Sequence, residues 1–242
     1  MYIMLPIRML TPVLVIYAAA ALLPAVVLLH YTHRHDTVES EPPLLLLSLL
    51  AWGALAAVCS GVVERMGMGL LNRLAWDSPL YNILLAFLVV AVTEEGFKFF
   101  FLYRATWRHP AFNYRFDGIV YAVFVSLGFA ALENLRYVFA YGLSVAIPRA
   151  LLAVPGHMAF SIFMGLWYGR AKLYDTWGEY PASRRRLWTG YAAAVFLHGV
   201  YDACALTGTF LSSVVFLVFI ILTFFAAYRS LKRESGNDVR VA

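Results

Sequence analysis

Two adjacent carboxylates and an amine, in Thr93-Glu94-Glu95-Gly96-Phe97-Lys98, interrupt an apolar run from about Leu80 to Tyr103. Glu94 and Lys98 stand at i, i+4 and Glu95 and Lys98 at i, i+3, so one amine can reach either acid but cannot serve both at full strength. The other carboxylate is then free for chemistry. An ionised group near a bilayer centre costs on the order of 3 kcal/mol on insertion scales, so a triplet of this kind marks a functional site by default. An ion pair that merely lets the helix insert is the plainer reading, and two acids are more than such pairing needs.

Further along, Glu133 stands four residues after Phe129 and beside Asn134, and His157 lies in Pro155-Gly156-His157-Met158. His198 and Asp202, at i, i+4, set an imidazole and a carboxylate on one helix face, where the acid can fix the tautomer or join the histidine on a metal. A buried carboxylate beside an ammonium suits general-base attack of water on a carbonyl, with His157 or His198 donating to the oxyanion. The same groups suit metal ligation: His157, His198, Glu95, Glu133 and Asp202 offer the two histidines plus carboxylates that hold Zn²⁺ and leave a position for water. No HExxH and no GxSxG is present. Ser161, one turn after His157, reads as a packing hydroxyl. The plainer readings are a Glu133–Arg136 pair at i, i+3, a structural His198–Asp202 hydrogen bond and a satisfied core His157.

The elements that must position these groups are membrane helices. The 242 residues are 62% hydrophobic and 14% charged with a mean hydropathy of +0.72, a polytopic membrane composition. Apolar stretches near twenty residues, long enough for a hydrocarbon layer of about 30 Å, recur seven times. They are read at residues 10–29, 44–63, 80–103, 118–141, 148–168, 187–206 and 210–228. Glu94, Glu95, Lys98, Asp117, Glu133, Arg136, His157, His198 and Asp202 all fall in or at the edge of the third to sixth, which predicts one polar cavity enclosed by apolar helices. The fold class is therefore all-α: a single transmembrane bundle over residues 1–242, with a core at about 80–206, flanking helices outside it and a solvated basic tail at 229–242.

Counting Lys and Arg by predicted side gives thirteen on one face against five on the other, with Lys98 buried. That predicts a multi-pass cell-membrane protein with its N-terminus outside and its C-terminus cytoplasmic. The net charge of +5 suits anionic headgroups of the bilayer, and no nucleic-acid module is present. Glu64 to Asp77 reads as a segment lying flat in the outer interface, or as a loop. Trp52, Trp76, Trp107 and Trp188 read as belt residues, and Gly165 and Gly169 as a helix-packing pair. Cys59 and Cys204 read as small packing residues. Untilted helices would keep Glu94 and Glu133 at different depths, so convergence predicts tilt and a fourth helix beginning later than Gly118.

In order, Glu94-Glu95-x-x-Lys98, Phe129-x-x-x-Glu133 followed by Asn134, then His157, then His198-x-x-x-Asp202 resembles the PrsW family of intramembrane proteases, over residues 80 to 205. That family is distantly related to the CAAX prenyl proteases, whose motifs are of the EExxxR, FxxxH and HxxxN kind; here Lys98, Glu133 and Asp202 make the site more acidic, which favours a bound cation. The resemblance implies a CAAX-protease-like helical core and a regulatory protease that cuts a membrane-anchored protein, such as an anti-sigma factor, in or near the bilayer. It implies catalytic roles for Glu94, Glu95, Glu133, His157, His198 and Asp202, with substrate contacts from Lys98, Phe129 and Asn134 and a divalent metal such as Zn²⁺ as a candidate cofactor. Glu94 is the better base in the CAAX-like reading, but Lys98 reaches both acids and the sequence does not choose between Glu94 and Glu95. A proton- or ion-coupled transporter and a non-catalytic scaffold are the competing classes; the absence of internal repeats and of paired broken helices argues against the transporter.

Overall fold

The computed structural model describes residues 7–75 and 77–241. Seven helical rods run up and down. They are α1 (Ile7–Arg34), α2 (Pro43–Ala75), α3 (residues 81–106), α4 (Asp117–Tyr141), α5 (Leu143–Thr176), α6 (Tyr180–Thr207) and α7 (Phe210–Gly236). Five of them, α1, α2, α4, α5 and α7, are long and apolar enough to cross a membrane. The other two, α3 and α6, carry the Glu pair with Lys98, and His198 with Asp202. Among the described residues there is one isolated β-bridge, Tyr114 to Arg240, and the rest of the order is helical or turn.

The turns are short because each helix meets a local stop. Gly142 and Gly208 sit at φ 84° and 63° after α4 and α6, a region open to glycine without a Cβ penalty. Thr209 then caps α7 through a reciprocal bond with Ser212. These two turns, with residues 77–80 ahead of α3, define one end of the bundle, called here the cavity end. Residues 35–42, 107–116 and 177–179 and the end of the chain form the opposite one.

α4 is the central rod, packed on α1, α2, α3 and α5 and buried along most of its length. Its close approach to α5 depends on the glycine pair read from the sequence: a Cβ on Gly165 would stand 2.5 Å from the Gly118 carbonyl oxygen, and one on Gly169 2.0 Å from that of Arg115. No side chain fits there. Backbones this close bring helix dispersion contacts and short side-chain bridges within reach, the usual basis of small-residue packing in membranes. α1 and α7 lie at the edge with mostly exposed apolar surfaces, suited to lipid.

Two rods are mixed. Residues 85–91 of α3 and 149–153 of α5 are π-helical, each just before a stretch that carries site residues. A π-bulge inserts a residue and shifts the face that the following turns present, and such bulges cluster at functional sites.

Three sequence expectations are corrected. α2 continues unbroken to Ala75, so Glu64 to Ala75 is neither a flat interfacial segment nor a loop, and Met66, Leu70 and Leu74 are exposed along it. The basic tail is not solvated throughout: Arg229, Lys232 and Arg233 are exposed, whereas Leu231, Glu234 and Val241 are buried, and Asp238 accepts the Phe116 N–H while the Val241 N–H donates to the Asn113 carbonyl. α4 begins at Asp117, no later than expected from its apolar run, and it is α3 that lengthens, to Thr106. Counted at about 1.5 Å per residue, Glu94 then stands about 18 Å above the end of α3 and Glu133 about 24 Å above the start of α4, similar depths. Trp76, read as a belt residue, and the side chain of Arg8, used in the charge count, lie outside the described residues. Cys59 and Cys204 are free thiols.

Candidate active site

All six acids and imidazoles predicted for catalysis converge between α3, α4, α5 and α6. Glu94, Glu95, His157 and His198 each offer a ligand atom within 4.8 Å of the others, and all four are buried. Lys98 lies among them, 2% exposed, with its Nζ 2.7 Å from Glu95 Oε1, 3.3 Å from Glu94 Oε2 and 3.1 Å from His157 Nδ1. It also sits 4.0 Å above the Phe129 ring. The amine is thus an internal counter-cation, enclosed by the site, and not a residue that meets substrate.

The hydrogen bonds fix the tautomers. An ammonium has only donors, so His157 Nδ1 accepts from Lys98 and its Nε2 carries the hydrogen, which goes to Glu133 Oε2 at 3.0 Å. Glu133 Oε2 also receives Arg149 at 2.7 Å. Glu133 therefore pairs with Arg149 across helices, and not with Arg136 on its own helix. For His198, Nδ1 donates to Glu95 Oε1 at 2.8 Å, and Nε2 faces two further carboxylates, Asp202 Oδ2 at 3.4 Å and Glu94 Oε2 at 3.9 Å; carboxylates only accept, so with no cation between them both ring nitrogens carry hydrogen.

These groups border a cavity of about 450 Å³ at the cavity end of the bundle, whose walls include Glu94, Glu133, His157, His198, Tyr201 and Asp202. A second lobe of about 230 Å³ opens between α2 and α4 and shares Glu64, Glu94, Glu133 and Tyr137 with the first. Glu95 borders neither lobe. It is locked behind Glu94 by Lys98 and His198.

Asn134 is brought to the edge of this system but not into the cavity: it is fully buried, donates to the Ala21 carbonyl and accepts from Arg149 Nε. Phe129 is 1% exposed and forms the floor under Lys98 and His157. Ser161 returns its hydroxyl to the Met158 carbonyl, as a packing residue does. Two residues escaped the sequence reading. Glu64 lines both lobes and its Oε1 is buried without a hydrogen-bond partner. Arg149 holds Glu133. The second apolar run stops at residue 63, one short of Glu64, and Arg149 stands at the head of the fifth, where it reads as an interfacial cation; the polarity of Glu64 within a continuous helix was the available signal.

The donor set fits a divalent cation on one face. His198 Nε2 stands 3.4 Å from Asp202 Oδ2 and 3.9 Å from Glu94 Oε2, so a cation taking the place of its hydrogen would meet an imidazole nitrogen and carboxylate oxygens, and Glu95 on Nδ1 supplies the carboxylate that such a histidine takes behind it. Glu95 Oε2, buried and without a partner, adds an unspent donor. His157 offers a nitrogen within 4.8 Å of ligand atoms of Glu94, Glu95 and His198, and Lys98 and Glu133 engage both its nitrogens.

Comparison with known proteins decides the lineage. The family described as PrsW family intramembrane metalloprotease matches residues 41–228. The chain belongs to the PrsW family. It is 35% identical to the Protease PrsW of Geobacillus kaustophilus over 90% of this chain and 92% of that protein. It is 32% identical to that of Halalkalibacterium halodurans, over 90% and 97%, and 30% identical to that of Bacillus subtilis, over 92% and 98%. No solved structure matches. Membership makes this chain a membrane-embedded peptidase, and the family resemblance read from the order of motifs stands.

Proposed function

We propose that the protein hydrolyses a peptide bond of a membrane-anchored regulatory protein, with Glu94 as the group that takes the proton from the attacking water. The observation that carries this reading is the unequal treatment of the two adjacent glutamates: Glu95 is bonded at 2.7 and 2.8 Å to Lys98 and His198, whereas Glu94 faces both cavity lobes with only the longer 3.3 Å contact to Lys98. A base must be free to receive a proton at the reacting atoms, and only Glu94 of the pair meets that condition.

The other groups follow by position. Glu95 orients His198 and holds the Lys98 charge; Lys98 offsets part of the cost of burying the two carboxylates; Glu133, clamped by His157 and Arg149, shapes the cavity wall. Arg149 and Tyr201 border the cavity and have donors for the oxyanion that forms at the scissile carbonyl. A divalent cation held by His198, Asp202 and one Glu94 oxygen would make the attacking water more acidic and polarise that carbonyl. In either case Glu94 orients the water and accepts its proton, then passes it to the departing amine.

A substrate anchored in the bilayer suits a site that is sunk among membrane helices and bordered by apolar residues such as Leu85, Leu152 and Leu206. An anti-sigma-factor-like protein fits that class. The orientation read from the basic loops, with the N-terminus outside, would place the cavity end on the outer side. The test is co-expression with a panel of tagged single-span proteins, comparing wild type with Glu94→Gln and His198→Ala. Loss of a cleavage product in both variants, at unchanged protein level, supports the proposal; undiminished cleavage by Glu94→Gln overturns it. A transporter would instead show ion-dependent uptake in vesicles and no product in any strain.

A further inference from the structure

At the end of the bundle opposite the cavity, three carboxylates are buried together. Asp36 and Glu41 belong to the α1–α2 turn and Asp117 opens α4; they are 7%, 3% and 1% exposed. The Tyr121 hydroxyl donates to Glu41 Oε2, and the N–H groups of Asn113 and Tyr114 donate to Asp117 Oδ2. After all these, Asp36 Oδ2 is still buried with no hydrogen-bond partner, and so is Asn113 Oδ1. The charged groups that bear most strongly on the three are one another, Glu39, Asp238 and His33.

Like charges gathered out of water are unstable unless a proton or a cation joins them. We propose that this cluster is a second cation site, independent of the protease site, which takes a partly hydrated divalent ion of the magnesium type. The donors are all hard oxygens, which excludes a soft-metal site. Their carboxylate oxygens do not all lie within 4.8 Å of one another. That is too open for a cage made wholly of protein and suits an ion that keeps several waters and binds through one or two carboxylates. Glu41 and Asp117 are the direct ligands, and the free Asp36 Oδ2 takes a water of the ion. The site would tie the α1–α2 turn to the head of α4, on which the chain end also docks through Asp238 and the Phe116 N–H.

The experiment uses the full chain in detergent, stripped with EDTA, with Mn²⁺ as an EPR-visible probe and MgCl₂ as competitor. His198→Ala removes binding at the protease site. That variant is expected to bind one Mn²⁺ that Mg²⁺ displaces, and its unfolding temperature is expected to rise with Mg²⁺. Adding Asp36→Asn or Glu41→Gln is expected to weaken Mn²⁺ by about tenfold or more and to abolish the Mg²⁺-dependent rise. Because each variant is compared with itself without Mg²⁺, a destabilised one still reports, and if the Glu41 variant does not fold, Asp36→Asn decides alone. Unchanged Mn²⁺ affinity in both added variants overturns the proposal. So does a His198→Ala protein that binds no Mn²⁺ and whose stability answers to pH alone, the behaviour of carboxyls sharing a proton.

Discussion

His198 Nδ1 lies 2.8 Å from Glu95 Oε1, and this contact divides the work of two glutamates that are neighbours in the chain. It makes Glu95 the anchor of both His198 and Lys98, so Glu95→Gln is expected to fail in two ways. Cleavage is lost, and stability falls by about 3 kcal/mol or more, the cost of leaving a buried charge without its partner. Glu94→Gln is expected to lose cleavage by about a hundredfold or more while its unfolding temperature moves little, since its contact to Lys98 is longer. Thermal unfolding of the two variants side by side checks this. Equal destabilisation would sink the division of roles.

Asp202 stands 3.4 Å from His198 Nε2 on the cavity wall and is less enclosed than the rest of the site. If the cation face described above is used, Asp202→Asn is expected to weaken metal dependence by about 10- to 100-fold. The readout is the zinc concentration that restores cleavage after chelation, in wild type and variant. An unchanged zinc requirement in Asp202→Asn removes that residue from the ligand set.

Much of this site was legible because membrane burial makes polar residues conspicuous. Glu94, Glu95, Lys98, His157, His198 and Asp202 stood out as charges in apolar runs, and the spacing of Lys98 to two acids already implied that one of them would be left free. The depth of Glu133 was not legible, because the apolar run around Glu94 ends near Tyr103 while its helix continues to Thr106. Asn134 was misjudged because adjacency to Glu133 does not give it the same face: on a helix the next residue turns by about 100°, here toward α1 and Ala21. Nor do apolar runs reveal π-helical segments or the docking of the chain end, both of which depend on contacts between distant residues.

Glu64 gives the clearest test of a residue that the sequence hid. It shares both cavity lobes with Glu94 and Glu133 and has a buried oxygen without a partner, so it adds repulsion to an acidic space without a compensating bond. Glu64→Gln is expected to raise the unfolding temperature, by an amount equivalent to about 1 kcal/mol, and to lower cleavage. A variant that unfolds at a lower temperature would show instead that the Glu64 charge is stabilising.

Gly165 tests the packing that holds the two halves of the site together. A Cβ there would collide with the Gly118 carbonyl and the Ile119 Cα, both backbone atoms that cannot step aside without moving α4 from α5. The bridge from His157 to Glu133 spans those same two helices. Gly165→Val is therefore expected to lower stability by about 2 kcal/mol or more and to abolish cleavage, although residue 165 touches no catalytic group. Retained cleavage at normal protein level would mean that the site tolerates separation of α4 and α5.

At the opposite end, burial pushes the Glu41 carboxyl up to about 7 and that of Asp36 up to about 6, with desolvation the largest cause for each and neighbouring acids adding to it. Asp117, Tyr121, Glu39, Asp238 and His33 face the pair. A carboxyl that ionises later in the folded chain than in the unfolded one favours folding while protonated. That contribution is complete below the unfolded values of 3.8 and 4.5 and is lost as pH rises toward about 7. In EDTA, the unfolding temperature of the full chain is expected to fall as pH rises from 4.5 through about 7. Glu41→Gln cannot ionise at that position, so the upper part of the fall, between about 6 and about 7, is expected to flatten in that variant. The comparison isolates this cluster from the groups of the protease site, which both proteins share. Parallel curves for wild type and variant would show that Glu41 ionises as readily in the fold as out of it.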